Sequence, residues 1–168
     1  MEALWAPWRM EYIRKKDSSD SCVFCPGEDR NKDADRLILY LGKYSMVLMN
    51  KYPYNNAHLL VAPVRHAASL DVLDQEEAYS LMDTVRKTIS VIEKLIKPGG
   101  FNVGLNLGKA SGAGIADHIH FHVVPRWSGD VNFMTTCSET RVISEHIRDT
   151  FELFAPAFAE AFLDLKNN

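Results

Sequence analysis

Apolar residues are grouped along this chain in two ways, and the first kind of grouping predicts β-strands. Short apolar runs of strand length lie at residues 37–41, 46–49 and 59–62. Gly42-Lys43 joins the first two runs as a hairpin, and the turn-forming segment 52–56 joins the second and third. Connections this short predict antiparallel pairing of neighbouring strands.

The second kind of grouping predicts a long amphipathic helix after the third strand. Asp74, followed three residues later by Glu77, has the pattern of a capping box at a helix start. Apolar residues then recur at spacings of three and four, at Leu81, Val85, Ile89, Ile92 and Ile96. The sequence Pro98-Gly99-Gly100 ends this helix.

The remaining elements complete an α+β fold. Two more strands are predicted over 101–107 and 118–124, and a last helix over about 140–165, which Pro156 kinks or splits. We therefore predict an antiparallel sheet of about five strands with one long central helix and a C-terminal helix. The chain is read as a single domain, 1–168, with an N-terminal arm at 1–16 and a C-terminal helical segment at 140–168.

Composition and charge narrow the class of protein. The net charge of -3 and the pI near 6.1 argue against a nucleic-acid partner, although a small anion remains a suitable ligand. The chain has an odd number of cysteines and no basic start followed by an apolar run. It also lacks a stretch of roughly 20 apolar residues. We therefore expect a cytoplasmic protein with no membrane partner.

Three histidines alternate with apolar residues in the segment His118-Ile-His120-Phe-His122-Val. Because side chains on a strand alternate between faces, the three imidazoles are predicted to share one face, while the intervening residues enter the core. Two chemical interpretations follow. The imidazoles can ligate a metal such as zinc, or one neutral imidazole can attack phosphorus as a nucleophile.

Two further features have candidate chemistry. Cys22 and Cys25 have the spacing of half a tetrahedral zinc site, although a redox pair or two buried side chains would have the same spacing. The loop with Gly108, Gly112 and Gly114 leads into the histidine segment, where backbone N–H groups can approach an anion.

The histidine pattern resembles the signature of the histidine triad (HIT) superfamily of nucleotide hydrolases and transferases. Segments 4–9, 50–58, 108–118 and 124–127 are also similar to its bacterial and archaeal branch, which includes diadenosine polyphosphate phosphorylases and hydrolases. The resemblance implies a HIT-like fold. It also implies cleavage of a phosphoanhydride or related bond in a nucleoside polyphosphate such as diadenosine tetraphosphate.

The resemblance assigns roles to individual residues. It implies that His120 is the nucleophile of a covalent nucleotidyl intermediate and that His122 contacts the scissile phosphate and supports the leaving group. It implies a structural zinc, not required for the chemistry, on Cys22, Cys25, His66 and His118. Nucleotide-binding residues implied in the same way are Asn50, which reads the ribose, together with His58, Asn106, Gly112, Ala113 and Gly114. Many members have Gln where this chain has Gly114, which leaves open whether Lys109 or Ser111 contacts phosphate.

Several alternatives remain at this point. The triad could hold a catalytic zinc in a hydrolase or lyase, or the chain could bind a nucleotide without turning it over. Either water or inorganic phosphate could be the second acceptor, and the nucleobase and the leaving group are open. The apolar stripe of the long helix, together with the way HIT proteins pair their sheets, predicts a homodimer.

Overall fold

The computed structural model describes residues 22–112, 115, 117–130, 143 and 145–163. The arm predicted at 1–16 therefore lies outside the described residues, as do Ala113, Gly114 and part of the C-terminal segment. The strands are β1 (Ile38–Leu41), β2 (Ser45–Met49), β3 (Leu59–Pro63), β4 (Gly100–Leu105) and β5 (Phe121–Arg126). The helices are α1 (Gln75–Ile96) and α2 (Ile147–Ala161).

The strands form one antiparallel sheet in the order β1-β2-β3-β5-β4. The last strand in the chain is thus inserted between β3 and β4. In this register His122 lies between Leu60 of β3 and Gly104 of β4. His122 consequently occupies the interior of the sheet, with another strand on either side.

The two helices cover one face of this sheet. Helix α1 begins with the predicted capping box, in which the Asp74 side chain accepts from the Glu77 amide and the Glu77 side chain accepts from the Asp74 amide. It packs against β2, β3 and β5, while α2 packs against β1 and α1. The main core between helices and sheet includes Leu81, Ile92 and Phe154.

The opposite face of the sheet has a second, smaller apolar cluster. Because successive strand residues face opposite ways, Leu48 and Leu60 turn away from the helices. They pack with Phe24, which comes from the segment before β1 and is 2% exposed. This face carries the candidate site.

The fold class is confirmed, but several predicted bounds are not. The strand predicted over 118–124 is Phe121–Arg126, and the strand predicted over 101–107 is Gly100–Leu105. Residues 118–120 leave the ladder because the Ile119 amide donates to the Ala67 carbonyl, beyond the end of β3. Pro156 lies inside an unbroken α2 and does not split it. Within the described residues, no helix combines the length and apolar character needed to cross a membrane.

Candidate active site

Four side chains from three separate segments converge into a group that could hold a metal ion. The candidate ligand atoms of Cys22, Cys25, His66 and His118 all lie within 4.8 Å of one another. The Nδ1 atom of His118 lies 3.4 Å from Cys22 Sγ and 3.8 Å from Cys25 Sγ, and His66 Nδ1 lies 3.4 Å from Cys25 Sγ. Tetrahedral zinc with normal bond lengths places sulfur and nitrogen ligands roughly 3.6 Å apart. The donor set therefore fits zinc.

Local structure aims these ligands at one point. The Cys25 amide donates to the Cys22 carbonyl at 3.1 Å, which closes a tight turn between the two thiols. The Nε2 of His118 is 2.9 Å from the Pro63 carbonyl, an acceptor, so Nε2 carries the proton and Nδ1 presents its lone pair to the sulfurs. Burial lowers the pKa of His118, which favours this neutral form.

His120 lines a large cavity, together with residues of the cysteine segment. Its Nδ1 lies 2.9 Å from the main-chain carbonyl of His118, so Nδ1 donates and Nε2 keeps its lone pair. The side chain is 7% exposed, and burial lowers the pKa of His120. A neutral imidazole with an available lone pair has the form needed for nucleophilic attack.

His122 belongs to a chain of hydrogen bonds through His58. The amide of Tyr54 and the side-chain Nδ2 of Asn50 lie 3.0 and 3.2 Å from His58 Nδ1, and both are donors. His58 Nδ1 is therefore an acceptor, and Nε2 carries the proton. This Nε2 lies 3.0 Å from His122 Nδ1 and donates to it. His122 consequently carries its own proton on Nε2, where it can donate to an oxygen.

The cavity beside His120 and His122 has a volume of about 620 Å³, within the range of small-molecule sites. Its apolar wall includes Phe24 and Leu60, and its polar wall includes Asn50 and Asn106. Such a cavity can bury a flat apolar group and hydrogen-bond a polar one.

The glycine loop forms one edge of this cavity. Gly108 and Gly112 have φ values of 73° and 82°, a region that favours glycine, and Gly112 lines the cavity. The hydroxyl of Ser111 donates to the Gly108 carbonyl at 2.7 Å, so it stabilises the loop itself. Ala113, Gly114 and the Lys109 side chain lie outside the described part of the chain.

The structure brings together most of the site residues predicted from the sequence. The four candidate ligands form one group, and Asn50, Asn106, Gly112, His120 and His122 line one cavity. Asn50 also has contacts that were not predicted, since its Oδ1 accepts from the Tyr52 amide and its Nδ2 donates to His58. His58 is 1% exposed and lies behind His122.

Sequence reasoning missed Phe24, Arg36 and Tyr54 as site residues. The Phe24 ring stacks on His120 with centroids 4.4 Å apart, and the Tyr54 ring lies 5.7 Å from that of His122. Arg36 donates to main-chain carbonyls of the cysteine segment. Phe24 is the apolar residue beside Cys25 in the Cys-x-x-Cys pattern, which was a usable signal. Nothing in the sequence pattern links Arg36 to that segment.

Comparison with known proteins identifies the family. The family model described as the HIT domain matches residues 31–129, more than half of the chain. An AP-4-A phosphorylase from Mycobacterium tuberculosis is 39% identical over 168 residues, covering 95% of this chain and 85% of that protein. The chain therefore belongs to the HIT family.

Solved structures agree with the fold. A hypothetical histidine triad nucleotide-binding protein from Sulfolobus tokodaii aligns with a TM-score of 0.62 at 24% identity, covering 86% of this chain and 94% of that one. A zinc-bound histidine triad family protein from Mycobacterium smegmatis aligns with a TM-score of 0.60 at 23% identity, covering 76% of this chain and 86% of that one. At these identities the likeness concerns the fold alone.

Proposed function

We propose that this chain is a nucleotide hydrolase or nucleotidyltransferase that cleaves a phosphoanhydride or related bond in a dinucleoside polyphosphate such as diadenosine tetraphosphate. The observation that carries the proposal is the lone pair of His120 Nε2, which borders a cavity large enough for a nucleotide. The name of the Mycobacterium tuberculosis relative, AP-4-A phosphorylase, supports this class of substrate.

In the proposed first step, His120 Nε2 attacks the phosphorus of the bound nucleotide. A bond from nitrogen to phosphorus forms, the bond from phosphorus to the leaving oxygen breaks, and the N–H at His122 Nε2 donates a hydrogen bond to that oxygen, which leaves as the anion of the released polyphosphate. The hydrogen bond from His58 to His122 Nδ1 supports this assignment, because it keeps the His122 proton on the other nitrogen. The product of the step is a nucleotidyl-His120 intermediate.

In the second step, an acceptor oxygen releases the nucleotide from His120. A water molecule or inorganic phosphate attacks phosphorus through an oxygen and releases its proton to the solvent, while the N–H at His122 Nε2 again donates a hydrogen bond to an oxygen of the nucleotide's phosphate. The bond to His120 breaks and the nitrogen regains its lone pair. With diadenosine tetraphosphate, water yields AMP and ATP, whereas inorganic phosphate yields ADP and ATP.

The remaining site residues are proposed to bind the nucleotide. Asn50 reads the ribose hydroxyls, since an amide offers both a donor and an acceptor. Asn106 and the loop residues Gly112, Ala113 and Gly114 approach the phosphates, and His58 orders the site from behind. The lining of the cavity by Asn50, Asn106 and Gly112 supports this arrangement.

Zinc is proposed as a structural ion on Cys22, Cys25, His66 and His118. When bound, it would join the segment before β1 to the loops that flank β3 and β5, and it would supply no bond to the substrate. The orientation of His118 Nδ1 toward both sulfurs supports this role. It also argues against a catalytic zinc on the triad, because His118 Nδ1 is directed at the sulfurs and, among the described residues, the candidate ligand group that contains His118 includes neither His120 nor His122.

A homodimer is proposed as the assembly. The apolar stripe of α1, from which the sequence predicted a homodimer, packs inside the domain, since Leu81 and Ile92 are almost fully buried. Support comes instead from β4, which is an edge strand of the sheet. Val103 of this strand is 43% exposed. An edge strand with apolar side chains pairs readily with a second copy of itself.

The proposed function is tested by incubating the protein with diadenosine tetraphosphate, with and without inorganic phosphate, and identifying the products. We expect ATP with either AMP or ADP, and we expect His120→Ala to lose turnover by several orders of magnitude while still binding nucleotide. Tight nucleotide binding by the wild-type protein without any turnover would show instead a nucleotide-binding protein that is not an enzyme.

A further inference from the structure

The candidate zinc group contacts His120 through two independent routes. The first is the main chain of His118, whose carbonyl accepts from His120 Nδ1 at 2.9 Å while its own ring faces the cysteines. The second is Phe24, which lies between the two cysteines and stacks on the His120 ring at 4.4 Å with an interplanar angle of 28°. The His118 carbonyl fixes the Nδ1 edge of the His120 ring, and Phe24 covers one face of that ring.

The position of Phe24 is fixed together with that of the cysteine segment, residues 22–25. Phe24 is 2% exposed and packs in the second apolar cluster, against the sheet. On the other side of the segment, Arg36 Nη2 donates to the Val23 carbonyl at 3.0 Å and to the Cys25 carbonyl at 2.6 Å. The Phe24 ring is thereby tied to the positions of the two thiols.

We propose that the metal-binding segment, residues 22–25, positions the nucleophile His120, and that Phe24 is the positioning residue through which the segment acts. This inference rests on the proposed role of His120. When the four ligands close on an ion, they hold both the carbonyl that orients His120 and the ring that packs on its face. The ion takes part in no chemical step, yet the aim of His120 Nε2 depends on the segment that the ion fixes.

The physical reason is the remaining freedom of the His120 side chain. A single hydrogen bond at Nδ1 selects the tautomer but allows the ring to tilt about that contact. Packing of Phe24 against one face removes the tilt toward the cysteine segment. Since a displacement of about 1 Å at a reacting atom can cost roughly 100-fold in rate, loss of this contact is expected to slow the attack itself.

The test uses the full-length zinc-loaded protein and the variants Phe24→Leu, Phe24→Tyr and Val23→Ala. The first removes the ring, the second keeps it, and the third changes the adjacent, half-exposed residue between the same cysteines. Each is mixed rapidly with diadenosine tetraphosphate, and the rate constant for nucleotidylation of His120 is measured at saturation together with the half-saturating concentration. Metal analysis and circular dichroism establish that zinc and fold are retained.

We expect Phe24→Leu to lower the saturating rate constant by about 10- to 100-fold. Phe24→Tyr and Val23→Ala should stay within a few-fold of wild type. If Phe24→Leu raises only the half-saturating concentration and leaves the saturating rate constant unchanged, Phe24 is merely a wall of the nucleoside site and the inference is wrong. Failure of wild type to form any adduct on His120 would instead remove the proposed function on which the inference rests.

A second measurement reads the link to the metal without using turnover. If zinc helps to hold His120, the hydrogen bond from His120 Nδ1 to the His118 carbonyl must be looser when zinc is absent. We expect the Nδ1–H resonance of His120 in the ¹⁵N-labelled, zinc-loaded wild type to exchange slowly with solvent, and to exchange several-fold faster after zinc removal and in zinc-loaded Phe24→Leu. An exchange rate that is the same with and without zinc, and the same in Phe24→Leu, would contradict the proposal.

Discussion

At the scale of single residues, the site is defined by which ring nitrogen carries each proton. Main-chain carbonyls fix the position of the proton on His118 and on His120. The Tyr54 amide keeps the His58 proton on Nε2, and the hydrogen bond from this atom to His122 Nδ1 places the His122 proton on Nε2. The alternating sequence could place these histidines near one another, but it could not assign their tautomers. The tautomer of His118 depends on Pro63 and that of His122 on His58, which lie far away in the chain and reach these histidines only in the fold, whereas that of His120 depends on the His118 carbonyl two residues earlier.

Asn50 tests the nucleoside end of the site. We expect Asn50→Ala to weaken binding of a ribonucleotide by about 1–2 kcal/mol, because hydrogen bonds to the ribose are lost. A 2′,3′-dideoxynucleotide serves as the control, since its binding should respond much less to the substitution. Equal losses for both ligands in calorimetric titration would show that Asn50 acts only through its bond to His58.

At the scale of elements, local signals were sufficient for α1 and the hairpins, whereas the unbroken course of α2 through Pro156 and the long-range strand pairing were not predictable from them. The Asp74–Glu77 pattern correctly marked the start of α1. The insertion of β5 between β3 and β4 has no local signature, because it depends on pairing between strands separated by the whole of α1. The same dependence explains why the start of β5 was misplaced, since the Ala67 carbonyl captures the Ile119 amide.

The proposed zinc site lies between the segment before β1 and the loops beside β3 and β5. We expect one zinc ion per chain in protein purified without chelator, because the site has a closed set of four ligands. The double substitution Cys22→Ser with Cys25→Ser should remove it, while Cys137→Ser should retain it. Metal analysis is the measurement, and zinc content unaffected by the double substitution would rule out this site.

The start of α1 should show a characteristic dependence of stability on pH. Arg65 donates to Glu77 at 2.6 and 2.7 Å, and chiefly this contact lowers the pKa of Glu77 to about 2. A lowered folded-state pKa stabilises the protein above the unfolded value of about 4.3, and that contribution is lost as pH falls toward 2.

Glu77→Gln should therefore reduce the free energy of unfolding at pH 6 by about 1 kcal/mol, a modest value because Arg65 is half exposed. The difference from wild type should shrink between pH values of about 4.3 and 2. Glu93→Gln, at an exposed position of the same helix, is the control. Denaturant unfolding at several pH values measures both, and a difference that is independent of pH would contradict the assignment.

At the scale of the whole molecule, the helices cover one face of the sheet and the site occupies the other, which leaves β4 as an apolar edge. We expect light scattering to give about twice the chain mass of 19.0 kDa. Val103→Lys should shift the protein toward the monomer, because it places a charge on that edge. Leu70→Lys, at a similarly exposed residue before α1, should not. A stable wild-type monomer at micromolar concentration would exclude this assembly.

The central claim is that His120 becomes covalently nucleotidylated during turnover, and rapid quench followed by mass spectrometry tests it most directly. Wild-type protein is mixed with a dinucleoside polyphosphate that is turned over slowly, so that the intermediate accumulates. The protein should gain the mass of one nucleoside monophosphate. The adduct should be lost in acid, as expected for a phosphoramidate, and peptide mapping should place it on His120. An adduct on His118 or His122, or full turnover by His120→Ala, would contradict the account.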